Sequence, residues 1–118
     1  QAWLTGASRA GHEAALLACI EMGAEVRITD ASGNTALHHA SRFGHAHLIK
    51  PLVDAGADIS ALNGQGWAPL HLAALHKHAR ACDQLMRNGA DAEQPGWRGR
   101  TPTRMHQRER SYEQAQAL

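Results

Sequence analysis

Between Thr35 and Gly56 the apolar residues come in two short groups, Leu37 with Ala40, then Leu48, Ile49, Leu52 and Val53, set among polar neighbours. Thr35 can cap a helix by accepting from a free backbone N–H at its start, which predicts a first helix running to about Gly44. A second helix is predicted from about His45 to Ala55. It ends at Gly56, a residue suited to the left-handed conformation that closes a helix. The flanking segments Asp30-Ala-Ser-Gly33 and Asn63-Gly-Gln-Gly66 have the Asp/Asn-x-x-Gly form of a type I β-turn. Helices of about ten residues are marginal alone in water. Their apolar side chains therefore need burial against something outside the pair.

That something is another copy of the same pattern. At an offset of 33 residues, Thr35 falls on Ala68, Leu37 on Leu70, His38 on His71, Ala40 on Ala73 and His45 on His78. The same step carries Gly56-Ala57-Asp58 to Gly89-Ala90-Asp91 and, backwards, to Gly23-Ala24-Glu25. Forwards from Ala68 it reaches Thr101-Pro102, and Pro69 and Pro102 sit where a first-turn proline costs no hydrogen bond. Four units follow, at about 1–29 (partial), 30–62, 63–95 and 96–118 (degenerate), the last opening on Gly96-Trp-Arg-Gly99. Each is helix, helix and hairpin-like turn, and each hides its apolar face on the next. The expected fold is a single all-α domain built as an elongated solenoid, with contacts only between adjacent units.

These units resemble ankyrin repeats, whose pattern runs Asp-x-x-Gly-x-Thr-Pro-Leu-His-x-Ala-Ala-x-x-Gly-His and closes with Gly-Ala-Asp. The resemblance covers about Ala2 to Thr103 and is strongest over Asp30 to His45 and Pro69 to Asp91. Departures are informative. Trp3 and Thr5 replace the pattern's Pro and His, Lys77 stands in place of Gly, and Pro51 falls inside a second helix, where it should remove one hydrogen bond and kink it. Thr103 and Arg104 replace Leu and His, so the last unit reads as a polar C-terminal cap.

Composition narrows the class. Of 118 residues only 4% are aromatic, so Ala and Leu must build the core. The net charge of +1 gives no reason to expect a polyanionic partner. Residues 1–59 nevertheless hold 4 basic and 6 acidic groups, whereas residues 60–118 hold 8 and 5, with Arg98, Arg100, Arg104, Arg108 and Arg110 gathered near the end. No apolar run is long enough to span a membrane and no secretory signal is visible. Two sparse cysteines, Cys19 and Cys82, suggest a reducing, cytoplasmic setting. Opening on Gln1 with a first unit that lacks its turn, the chain is expected to be a piece of a longer protein.

Candidate chemistry is thin. Nine histidines invite a metal, yet His12, His38, His45, His71 and His78 occupy the repeat's two regular His positions. The resemblance gives those side chains the task of tying loops and units together. His39, His47, His76 and His106 remain, with no acid or cysteine cluster beside them, and zinc needs three or four converging ligands. Cys19 and Cys82 lie in second helices two units apart, roughly 20 Å at the usual helix spacing. That is too far for a disulfide, and they are expected to be buried structural thiols. The glycines are spaced by turns rather than clustered before a helix, which leaves no phosphate loop. Ser8, Ser41 and Ser60 lack an activating motif. Neither catalysis, a cofactor nor a metal is expected.

What the resemblance implies instead is a non-catalytic protein-interaction module. The positions such repeats leave free on their concave side, at the turn tips and first helices, correspond here to Arg9 and Ala10; to Ala31, Ser32, Asn34, Arg42 and Phe43; to Gly64, Gln65, Trp67, Leu75 and His76; and to Trp97, Arg98 and Arg100. Three of the chain's five aromatic residues, Phe43, Trp67 and Trp97, are in this set, and Trp and Arg are enriched at interface hot spots. Two readings stand for Trp67 and Trp97, as binding anchors or as covers for the stem of a neighbouring turn. Arg9 and Arg42 are likewise either contacts or solvated charges. The terminal arginines suit an acidic peptide, a phosphate-bearing group or a nucleic acid backbone, or simply a solvated helix. The expected partner is a protein of unknown identity, with no nucleic acid and no membrane, met by a monomer. The alternative is an accessory recognition domain within a larger enzyme, channel or bacterial effector.

Overall fold

The computed structural model describes residues 2–94 and Gly96. Trp97, Arg98, Arg100 and the expected capping unit, together with Pro102, Arg104 and His106, lie outside the described residues. Among those described there are six helices and no strand: α1 (Ala2–Ala10), α2 (Glu13–Glu21), α3 (Ala36–Arg42), α4 (Ala46–Asp54), α5 (Pro69–Leu75) and α6 (Ala79–Arg87). They form three antiparallel pairs. Each helix packs on the other member of its pair and on the corresponding helix of the next, α1 on α3 on α5 and α2 on α4 on α6.

Local chemistry sets the boundaries. Thr35 is extended (φ −87°, ψ 173°) and accepts from the His38 backbone N–H at 3.3 Å, so it caps α3 as expected. Ala68, at the same place before α5, has no side chain able to accept, and Pro69 supplies the start instead. α4 ends before Gly56, whose φ is +103°. Pro51 does not break α4, which runs through it to Asp54. The ring nitrogen only leaves the His47 carbonyl without its usual helical donor. Lys77 takes the left-handed φ of 60° that its glycine counterparts Gly11 and Gly44 also adopt.

The core follows the stack. Leu16, Leu37, Leu48, Ile49, Leu52 and Leu85 are fully buried and form one continuous cluster through all three pairs. Burying each such side chain is worth about 1.5–3 kcal/mol, and each is covered partly by a neighbouring pair. Val53, Cys19 and Cys82 are only partly buried at the edge of this cluster. The expectation of buried thiols is therefore corrected: both stand at the edge of the cluster, packed on the core and partly in contact with water. Burial still pushes the Cys82 thiol up from its usual value.

Between pairs the chain forms closed turns. Asp30 and Asn63 each donate their N–H across the turn, to the carbonyls of Asn34 and Trp67, and accept from Gly33 and Gly66. The Asp30 carboxylate takes the Ser32 and Asn34 N–H groups at 2.9 and 3.0 Å; the Asn63 side-chain oxygen does the same for Gln65 and Trp67 at 3.0 Å. These tips then lie side by side, with Gly64 N–H donating to the Ser32 carbonyl at 2.9 Å.

Candidate functional site

Two rows of histidine hold the turn tips and first helices in register. His38 is fully buried, and its Nδ1 receives the Thr35 N–H at 3.1 Å and the Thr35 hydroxyl at 2.9 Å. Its Nε2 lies 2.8 Å from the Trp67 carbonyl of the next unit. A carbonyl only accepts, so Nε2 carries the proton and the ring is neutral. His71 repeats the inner half of this arrangement, taking the Ala68 N–H on Nδ1 at 3.0 Å. In the second row, His45 Nε2 donates to the Arg9 carbonyl at 2.8 Å and His78 Nε2 to the Arg42 carbonyl at 2.9 Å. The expectation that repeat histidines tie units together holds for His38, His45 and His78, while the His71 bond to Ala68 lies within its own unit. Among the described residues their side chains reach no further than the adjacent unit, 36 residues away.

Burial pushes the His38 imidazole below its ordinary value of 6.5, and the Trp67 carbonyl only partly offsets this. The unfolded chain accepts a proton near pH 6.5 and the folded chain resists it. His38 therefore contributes stability that is complete above pH 6.5 and is lost as pH falls below it. The expected outcome is a lower urea midpoint at pH 5.5 than at pH 7.5; midpoints that rose on acidification would contradict a neutral, buried His38 ring.

Two histidines outside the repeat pattern have structural partners as well. His47 Nε2 donates to the Gly11 carbonyl at 3.0 Å. His39 is buried with Nε2 2.9 Å from the Asp30 carboxylate, while its Nδ1 has no hydrogen-bond partner among the described residues. Partial desolvation alone would raise the Asp30 carboxyl, but hydrogen bonds from Asn34, His39 and Ser32 hold it below its usual value. No group of three or more His, Cys, Asp or Glu side chains converges among the described residues. Sequence spacing gave no place to His39 and His47 because their partners, nine and 36 residues away, meet them only through the turn and the stack.

A row of exposed side chains stands at the ends of the first helices. Arg9, Arg42, Phe43, Leu75 and His76 are all exposed, Phe43 by 41% and Leu75 by 37%. The guanidinium carbons of Arg42 and Arg9 lie 5.5 and 5.9 Å from the centre of the Phe43 ring, within cation–π range. His45 stacks against the same ring, centroid to centroid at 6.4 Å. The sequence placed Arg9 and Phe43 in one set by register; their contact depends on the separation of adjacent units, which register does not contain.

At the turn tips Ala31, Ser32, Gly64 and Gln65 are exposed. Asn34 is half-buried, with its side-chain oxygen accepting from Asn63 Nδ2 at 2.8 Å. Trp67 is also half-buried, its ring tilted over His71 of the same unit at 5.6 Å. No described helix is long and apolar enough to cross a membrane.

Comparison with known proteins agrees with this architecture. A family model described as ankyrin repeats (3 copies) matches residues 4–95. The chain is also 75% identical over 118 residues to a protein of Stenotrophomonas maltophilia named an actin-binding protein. That match takes in all of this chain but 42% of the relative, so the chain spans less than half of the relative's length.

Proposed function

The chain belongs to the ankyrin repeat family, and we propose that it binds a protein partner through the first-helix ends and turn tips, with actin as that partner. Ankyrin repeats are protein-interaction modules, and such modules act by surface rather than by chemistry. The observation that carries the choice of surface is the exposed cluster of Arg9, Arg42 and Phe43, with Leu75 exposed at the matching place of the next first helix and Ala31, Ser32 and Gln65 exposed at the turn tips. Support for actin comes from the name of the relative, with which this chain shares three residues in four. The two half-buried free thiols are suited to a reducing compartment.

Co-sedimentation of the purified chain with actin filaments tests the partner. Saturable pelleting is the expected result. A chain that stayed in the supernatant at any filament concentration would remove actin and leave the surface to another protein. Phe43→Ala tests the surface: the side chain is exposed, so the melting temperature should hold, while affinity falls by roughly thirtyfold, the loss of a ~2 kcal/mol anchor. Equal affinities for the two proteins would exclude Phe43 from the interface.

A second reading, in which these repeats are the recognition part of a longer protein, is favoured by the extent of the relative beyond the matched region. Assaying the longer protein with the repeats deleted separates the two, since under this reading partner binding is lost and other activities persist.

A further inference from the structure

Charge is segregated between the two helix rows. Through each first helix and the turn after it, over residues 2–12, 35–45 and 68–78, the sequence has no aspartate or glutamate. The acidic groups of residues 2–94 lie elsewhere. On second helices Asp54 faces Lys50 at 3.8 Å and Asp83 faces Arg87 at 3.0 Å. Asp30, at a turn tip, is held by Ser32, Asn34 and His39. A shallow groove of about 640 Å³ along the second helices mixes both signs, with Glu13 and Asp54 beside Lys50 and Arg80.

Arg9 and Arg42 lie on this acid-free first-helix row. Among the described residues neither has a carboxylate within ion-pair distance, yet both guanidiniums approach the one Phe43 ring. Two cations gathered on one exposed ring repel each other, and no acid of their own helix row offsets the repulsion. A carboxylate brought from outside would. The planar guanidinium fork matches a carboxylate in two parallel hydrogen bonds, and the ring face restrains the arginines, so less side-chain freedom is lost on binding. One unit further along, the position of Arg42 is taken by Leu75, exposed and apolar.

We propose that the Arg9–Phe43–Arg42 cluster seats an acidic peptide segment of the protein partner, its carboxylates on the two guanidiniums and an apolar side chain against Phe43 and Leu75. The inference rests on the binding-module reading above and adds the chemistry of what is bound. The cluster is a site for a protein carboxylate rather than a phosphate backbone, because it sets its cations against an exposed apolar ring and lies on a described body that carries more acidic than basic residues.

A library of random dodecapeptides displayed on phage, selected on the wild-type chain, tests it. The selected peptides should be enriched in Asp and Glu with an apolar residue between them. Their binding should weaken as salt rises toward ~0.3 M and fall by about tenfold or more in R9Q/R42Q. Both arginines are exposed, and an unchanged circular dichroism spectrum and melting temperature check that the variant folds. Selected peptides that are neutral or basic, or acidic peptides that bind R9Q/R42Q equally well, overturn the acidic-segment inference and leave the binding-module reading standing. A selection that yields no specific peptide counts against both. A single-stranded RNA that binds through Arg9 and Arg42 where acidic peptides do not would reassign the cluster to nucleic acid.

Discussion

His38→Ala is expected to destabilise the chain by about 3–5 kcal/mol, enough to unfold a small stack or halve its cooperative transition. The ring is fully buried and fills space between two units, so its removal leaves a cavity with the cost of a large-to-small core change. It also strands the Thr35 N–H, leaves the Thr35 hydroxyl without its acceptor, and takes one of two donors from the Trp67 carbonyl, which keeps the Asn63 N–H. A buried polar group left without a partner costs about 1–3 kcal/mol. His45→Ala removes a comparable hydrogen bond, to the Arg9 carbonyl, from a more exposed ring. It should cost about 1 kcal/mol. Urea titration of the two variants beside the wild type checks the order, and equal losses would contradict the role given to the buried row.

Gly33→Ala has the next largest expected effect, about 2–3 kcal/mol. Its φ is +79°, a conformation that costs an alanine about 1–2 kcal/mol. The added Cβ would also lie 2.6 Å from the Gly64 nitrogen, which is backbone of the adjacent tip and cannot swing aside. Relieving that overlap breaks the hydrogen bond from Gly64 N–H to the Ser32 carbonyl. Gly44→Ala meets an equally short contact, 2.6 Å to the His78 ring at φ +74°. A side chain can rotate away, so Gly44→Ala should cost less than Gly33→Ala. A larger loss for Gly44→Ala would mean that the turn tips are not held against each other as described.

The same contrast accounts for what could be read from the sequence. Thr35 as a cap, Pro69 at a helix start and Gly56 after a helix end each depend on a few neighbouring residues. A register of 33 residues is therefore enough to place the helices, and the buried Leu37, Leu48, Ile49 and Leu52 follow from it. Lys77 shows how far register alone goes. It occupies a glycine position in a left-handed conformation. Gly11 and Gly44 lie under the imidazoles of His45 and His78, whereas 33 residues on from His78 the sequence has Ser111.

The proposed binding surface was legible only as a set of positions. That Arg9 and Arg42 meet on Phe43 comes from adjacent first helices packing closely, a distance the sequence does not contain. Trp67 was open between anchor and cover; its half-buried ring lies tilted over His71 of its own unit, a contact that register does not contain. The partners of His39 and His47 were beyond reach for the same reason, being a turn carboxylate and a carbonyl of the preceding unit.

The central claim is that the first-helix row, not the second-helix row, meets the partner. A photo-crosslinking benzoyl-phenylalanine placed at Phe43 in one protein and at Asp54 in another, both irradiated in whole cells, tests it directly. Asp54 is exposed on a second helix, so both probes are accessible to a passing protein. The account predicts a discrete protein adduct from position 43 and none from position 54; an adduct from position 54 with none from position 43 would contradict it.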